Sequence, residues 1–161
     1  MPEPDNRIHV QYAISADGIP APEKLRHWVD CGLQGRCPEA ELALRIVDEA
    51  EITALNRQYR GKDGATNVLS FPYVPMAGVV TEQLGDIVIC APVVAAEAVA
   101  QGKSLEAHWA HMVIHGVLHL LGYDHIEEIQ AAAMELLESR ILEQLNFDCP
   151  YGVEGMERNC G

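Results

Sequence analysis

Apolar side chains recur at every second position in two places in the first half of the chain. Ile8, Val10, Tyr12 and Ile14 alternate with polar or small residues, and Leu42, Leu44 and Ile46 do the same. This is the pattern of strands with one buried face. Between them, Pro20 and Pro22 open a helix expected to run to about Leu33, and Gly32, Gly35 and Pro38 mark the loop beyond it. After the second strand, Asp48 is placed to cap a helix with Ile52, Leu55 and Tyr59 on one face, and Gly61 ends that helix. The loop Lys62 to Thr66 leads into a third strand, Val68 to Tyr73, where Pro72 predicts a sheet edge or a strand end.

In the second half, residues 74–83 read as a loop or hairpin connection. Leu84 to Cys90 follows as a fourth strand, apolar without a break from Ile87 and so expected to be covered on both faces. Pro92 begins a helix to about Gln101, and Gly102, Lys103 and Ser104 interrupt it. A long helix from about Leu105 to Leu121 stops at Gly122. A last helix spans about Ile126 to Leu145, with Ile126, Ile129, Ala133, Leu137 and Ile141 at helical spacing. Mixed strands and helices in this order predict an α/β or α+β layer fold with about four strands and about five helices, whose strand order the pattern leaves open.

A length of 161 residues fits one domain, with an irregular tail from about residue 147. At 48% hydrophobic and 22% charged residues, the composition excludes disorder and low complexity. Met1 to Arg7 lacks the basic and apolar regions of a secretory signal, so a cytoplasmic location is expected. The longest apolar stretch, Ile87 to Ala100, is short for a membrane span and is broken by Pro92 and Glu97, so no membrane role follows. The five cysteines include no CxxC pair; reduced thiols are the simpler reading and a Cys31–Cys37 disulfide is the alternative.

The formal net charge of −13 opposes broad attraction to nucleic acid, which depends on neutralising phosphates with Lys and Arg. Contact with a polyanion must then be local. Arg57, Arg60 and Lys62 are the one cluster able to provide it, although cations also suit a helix C-terminus for electrostatic reasons alone.

The densest chemistry lies in the run His115-Gly-Val-Leu-His119-Leu-Leu-Gly122-Tyr-Asp-His125. Residues four apart share a helix face, so the imidazoles of His115 and His119 can converge on one ion. Gly122 can adopt a left-handed conformation and swing the chain back, which makes His125 the third ligand. Three neutral imidazoles suit one zinc ion and leave a fourth position for water, the mark of a catalytic rather than a structural site. His111, one turn before His115, can face the same cleft as a group that supports a ligand or contacts substrate, and His108 can do so if the helix begins earlier; neither is expected to be a ligand. Asp124 can orient a ligand or act as a base, but a helix cap before Glu127 is its simpler duty. The spacing matches HExxHxxGxxH of metzincin peptidases except that Gly116 stands where their catalytic glutamate would be, which argues against a peptidase.

The same run, HGVLHLLGYDH, resembles the His-x3-His-x5-His hallmark of the YbeY family, HGxLHLxGYDH, at every fixed position. Two further segments resemble that family: LNRQYRGKDGATNVLSFPY from Leu55 to Tyr73 and LGDIVIC from Leu84 to Cys90. The likeness runs from about Leu42 to Leu145. It implies an α+β fold with a mixed four-stranded sheet, the metal site lying on a helix of the C-terminal half and the turn after it. It also implies a single-strand-specific, metal-dependent endoribonuclease that matures the 3′ end of small-subunit ribosomal RNA and takes part in ribosome quality control. The expected partners are therefore ribosomal RNA and the small subunit with its proteins, and not DNA. By the same resemblance Arg60 is the arginine tied to cleavage; a guanidinium can grip a phosphate through two parallel hydrogen bonds, with Arg57 and Lys62 as auxiliary contacts. A second reading, motivated by the acidic charge, is a ribosome assembly factor whose zinc stabilises the fold.

Overall fold

A computed structural model describes residues 7–34, 40–73, 83–123 and 128–147. In chain order the elements are β1 (Arg7–Tyr12), α1 (Pro22–Leu33), β2 (Glu41–Val47), α2 (Glu49–Arg60), β3 (Val68–Pro72), β4 (Gln83–Cys90), α3 (Ala91–Gln101), α4 (Leu105–Leu120) and α5 (Glu128–Gln144). The strands form one mixed sheet in the order β1-β2-β4-β3. Both β1 and β4 run parallel to β2, and β3 lies antiparallel to β4 at the edge where Pro72 predicts it. With five helices around the sheet among the described residues, the fold is α+β.

The alternating residues of β1 and β2 form one apolar layer. Ile8, Leu42, Leu44, Ile46, Ile87 and Ile89 pack under α1, α4 and α5. On the opposite face, Val47, Val88, Cys90 and Leu69 meet Ile52 of α2. The run Ile87–Cys90 is buried throughout, as a strand covered on both sides must be.

Helix α4 crosses the sheet at close range. A Cβ at Gly116 would stand 2.8 Å from Cγ2 of the fully buried Ile87, and Ser70 of β3 donates to the Gly116 carbonyl at 3.2 Å. On its other side, a Cβ at Gly32 would lie 3.0 Å from Val117. Gly32 therefore belongs to the last turn of α1, where the pattern placed a loop, because its missing side chain lets α1 and α4 approach.

Two helix faces differ from the apolar count. In α2 the buried pair is Ile52 and Asn56, while Tyr59 is 60% exposed and meets Phe71 edge-on. In α5 the buried residues are Met134, Glu138, Ser139, Ile141 and Leu142; Ile129 is 84% exposed and Ala133 is also outside. The expected stripe is rotated because a count of apolar residues alone leaves out Glu138, the residue the helix buries most completely.

The contact at Gly116 also bears on the peptidase pattern. A side chain there points at Ile87 rather than toward solvent, so Gly116→Glu should bury an unpaired carboxylate and overpack the sheet. The expected loss is at least about 3 kcal/mol, or roughly 6–12 °C in melting temperature, with no gain of peptidase activity. Calorimetry of the variant checks this, and an unchanged melting temperature refutes the packing argument.

Candidate metal centre

From His108 to Leu120 every residue of α4 is buried except His115 and His119. The helix core opens at only these two positions, and both carry imidazoles, with ring centroids 4.6 Å apart. They border a cleft of about 630 Å³ that Arg60, Lys62, Asn67 and Ser70 also line.

Local sequence builds both walls. Asp48 accepts from the Glu51 amide at 2.9 Å to start α2, and Gly61, at φ +67°, ends it directly after Arg60. The buried Asn56 amide donates to the Gly64 carbonyl at 3.0 Å, which folds the following loop back onto the helix and sets Lys62 beside Arg60 at the cleft. At the end of α4, Tyr123 N–H bonds to Leu118 O and Gly122 N–H to His119 O, both at 3.0 Å, with Gly122 at φ +105°. This pair of bonds is the Schellman arrangement, and only glycine takes its left-handed position at little cost.

Behind His115 lies Glu138 of α5, with no exposure to solvent. Its Oε2 is 2.5 Å from His115 Nδ1 and its Oε1 is 3.0 Å from His111 Nε2. Burial pushes the Glu138 carboxyl up, but the hydrogen bonds from His111 and His115 outweigh it and hold the group down at about 2. Burial likewise lowers His111, so this ring is a neutral donor to a carboxylate.

The ligand atoms of His111, His115 and Glu138 lie within 4.8 Å of one another, close enough to hold a metal ion. The 2.5 and 3.0 Å separations are also hydrogen-bond lengths, so each ring nitrogen is placed to donate to the carboxylate. A ring engaged by a carboxylate through Nδ1 ligates through Nε2, and a carboxylate behind an imidazole is the usual support of a metal-binding histidine. The donor set therefore fits a divalent ion in front of His115 and His119, with Glu138 orienting the first ring.

Among the expected site residues, the structure brings His115, His119, Arg60 and Lys62 to one cleft. Arg57 lies outside its lining, 80% exposed and 3.8 Å from Asp63. Among the described residues, no acidic group pairs with Arg60 or Lys62. His111 is buried and turned to Glu138, and it lines a smaller cavity behind His115. His125, Asp124 and Cys37 lie outside the described residues. Sequence reasoning missed Glu138 and Asn56. The signal for Glu138 was a single acidic residue in register with Met134, Ile141 and Leu142.

Replacing that carboxylate should loosen the centre without emptying it. In Glu138→Gln one oxygen becomes a donor facing a ring N–H, and affinity for a divalent ion should fall about 10- to 100-fold. Titration against a chromophoric chelator measures this; affinity within twofold of the unsubstituted chain would remove Glu138 from the metal centre.

The chain is similar to known proteins in sequence and in fold. The family described as "Endoribonuclease YbeY" matches residues 18–146, so the likeness reaches further toward the N-terminus than the motifs alone carry it. The protein named Endoribonuclease YbeY from Stenotrophomonas maltophilia (strain K279a) is 55% identical over 151 residues, covering 91% of this chain and 94% of that protein. Its namesake from Xanthomonas campestris pv. campestris (strain B100) is 54% identical with the same coverage. The solution structure of TM1509 from Thermotoga maritima superposes with a TM-score of 0.61 at 28% identity, covering 86% of this chain and 88% of that one. The chain belongs to the YbeY endoribonuclease family.

Proposed function

We propose that this chain is a cytoplasmic, single-domain, zinc-dependent endoribonuclease. It cuts single-stranded RNA in 3′-end maturation and quality control of the small ribosomal subunit. The observation that carries the reading is the cleft itself: the two histidines that open the core of α4 share it with an arginine that has no acidic partner among the described residues. Family membership supports the reaction, because the matched relatives are named endoribonucleases.

His115, His119 and His125 would hold one zinc ion, since three imidazoles suit zinc and leave a coordination place open. The ion supplies Lewis acidity toward water, or the RNA 2′-hydroxyl, and toward a phosphoryl oxygen. The chain's own residues do the positioning. Arg60 takes two oxygens of the scissile phosphate through its planar fork and meets the charge that builds there during attack. Lys62 adds a point charge beside it, and the Asn67 amide and Ser70 hydroxyl offer hydrogen bonds along the wall. Glu138 keeps the His115 ring from rotating. On an acidic chain this arrangement confines RNA contact to the cleft.

The acidic charge also favours a second reading, an assembly factor that works by holding basic ribosomal proteins while zinc stabilises its fold. One variant separates the two. Arg60 is exposed, so Arg60→Ala should leave the melting temperature within about 2 °C while lowering cleavage of a defined single-stranded RNA about 100-fold or more. Loss of ribosome maturation in cells with unchanged ribosome association then favours catalysis; full maturation by the inactive variant favours assembly. For the metal, His115→Ala or chelation should abolish cleavage by nuclease-free protein, and undiminished cutting after either treatment rules the mechanism out.

A further inference from the structure

The smaller cavity behind His115, about 390 Å³, is lined by polar groups that are mostly turned on one another. Its centre is Lys103, in the link between α3 and α4. The ammonium lies 3.2 Å from His108 Nδ1 and 3.5 Å from His111 Nδ1. Both imidazoles place their other nitrogen on a carboxylate: His108 Nε2 is 2.8 Å from Glu97 Oε1, and His111 Nε2 is 3.0 Å from Glu138 Oε1.

An ammonium has three hydrogens to give and no lone pair to receive one. A ring nitrogen that faces it must therefore be the acceptor, which places the hydrogen of each neutral ring on Nε2. For His111 this hydrogen goes to Oε1 of Glu138 and leaves Oε2 to accept from His115 Nδ1. If His111 instead carried its hydrogen on Nδ1, its Nε2 lone pair would oppose Oε1 of a fully buried carboxylate.

We propose that Lys103 is a positioning residue for the metal centre: by fixing the hydrogen of His111 on Nε2 it directs Glu138, and Glu138 in turn fixes His115 with its hydrogen on Nδ1. The chain Lys103–His111–Glu138–His115 joins the link before α4 to the cleft through hydrogen bonds alone. It rests on the reading that His115 ligates the ion. Lys103 touches neither ion nor substrate, and its effect passes through two other side chains.

The test uses the full chain with Lys103→Met, which keeps most of the stem and removes the donor, and Lys103→Arg, which restores one. Long-range proton–nitrogen NMR of the imidazoles reads which ring nitrogen bears hydrogen in metal-free protein, and chelator competition reads zinc affinity. In the unsubstituted chain His111 should be protonated on Nε2 and His115 on Nδ1. In Lys103→Met the His111 signals should move toward the other tautomer and zinc should bind about 10-fold more weakly, with Lys103→Arg restoring both. A purely structural lysine would lower the metal-free melting temperature and leave ring signals and zinc affinity alone. Unchanged ring tautomers in Lys103→Met, or unchanged zinc affinity, overturn the proposal. A wild-type chain that binds no zinc sinks the metal reading instead, and the ring signals then decide the relay by themselves.

Discussion

A carboxylate sealed from water must be satisfied by its neighbours or give up its charge. Glu138 meets that demand with two imidazoles one helical turn apart, and much of the site geometry follows from the bargain. It fixes the rotation of α5 about its own axis, since the helix must turn Glu138 inward at the cost of leaving Ile129 in solvent. It fixes which nitrogen His115 has left for an ion. Because His111 and His115 both belong to α4, the same side chain ties the last helix to the helix that crosses the sheet.

That crossing is the second constraint. Gly116 and Gly32 remove side chains on opposite sides of α4, so the helix touches Ile87 of the sheet and lies against α1. Close approach brings β3 alongside as well, and Ser70 reaches the Gly116 carbonyl. Arg60 arrives from the last turn of α2, the helix onto which Asn56 folds the following loop. The cleft is thus assembled from α2, the loop and strand β3 that follow it, and α4, which two further elements separate from β3 in the chain.

The strands and helices were legible because each buries apolar side chains at its own period, and the two cleft histidines because four-residue spacing has one meaning on a helix. Strand order was not legible, since periodicity reports which face is covered and not which neighbour covers it. The supporting groups escaped for a related reason. Glu138 and Asn56 are polar residues in buried places, and a reading that equates polar with exposed passes over them. Gly32 was misplaced because a glycine that permits helix contact looks, in sequence, like one that breaks a helix. Family resemblance supplied Arg60 where charge alone could not distinguish it from a helix-end cation; the structure adds the contrast with Arg57, which leans on Asp63 away from the cleft.

The placement of Arg60 and Lys62 on a chain of net charge −13 has a kinetic side. On the proposed reading, a polyanionic strand that leaves the cleft meets a chain of strongly negative net charge, which disfavours a second foothold and favours escape into solution. Encounters are brief unless the strand is seated where the cations are, and selectivity then comes from how fast wrong complexes fall apart rather than from how tightly right ones hold.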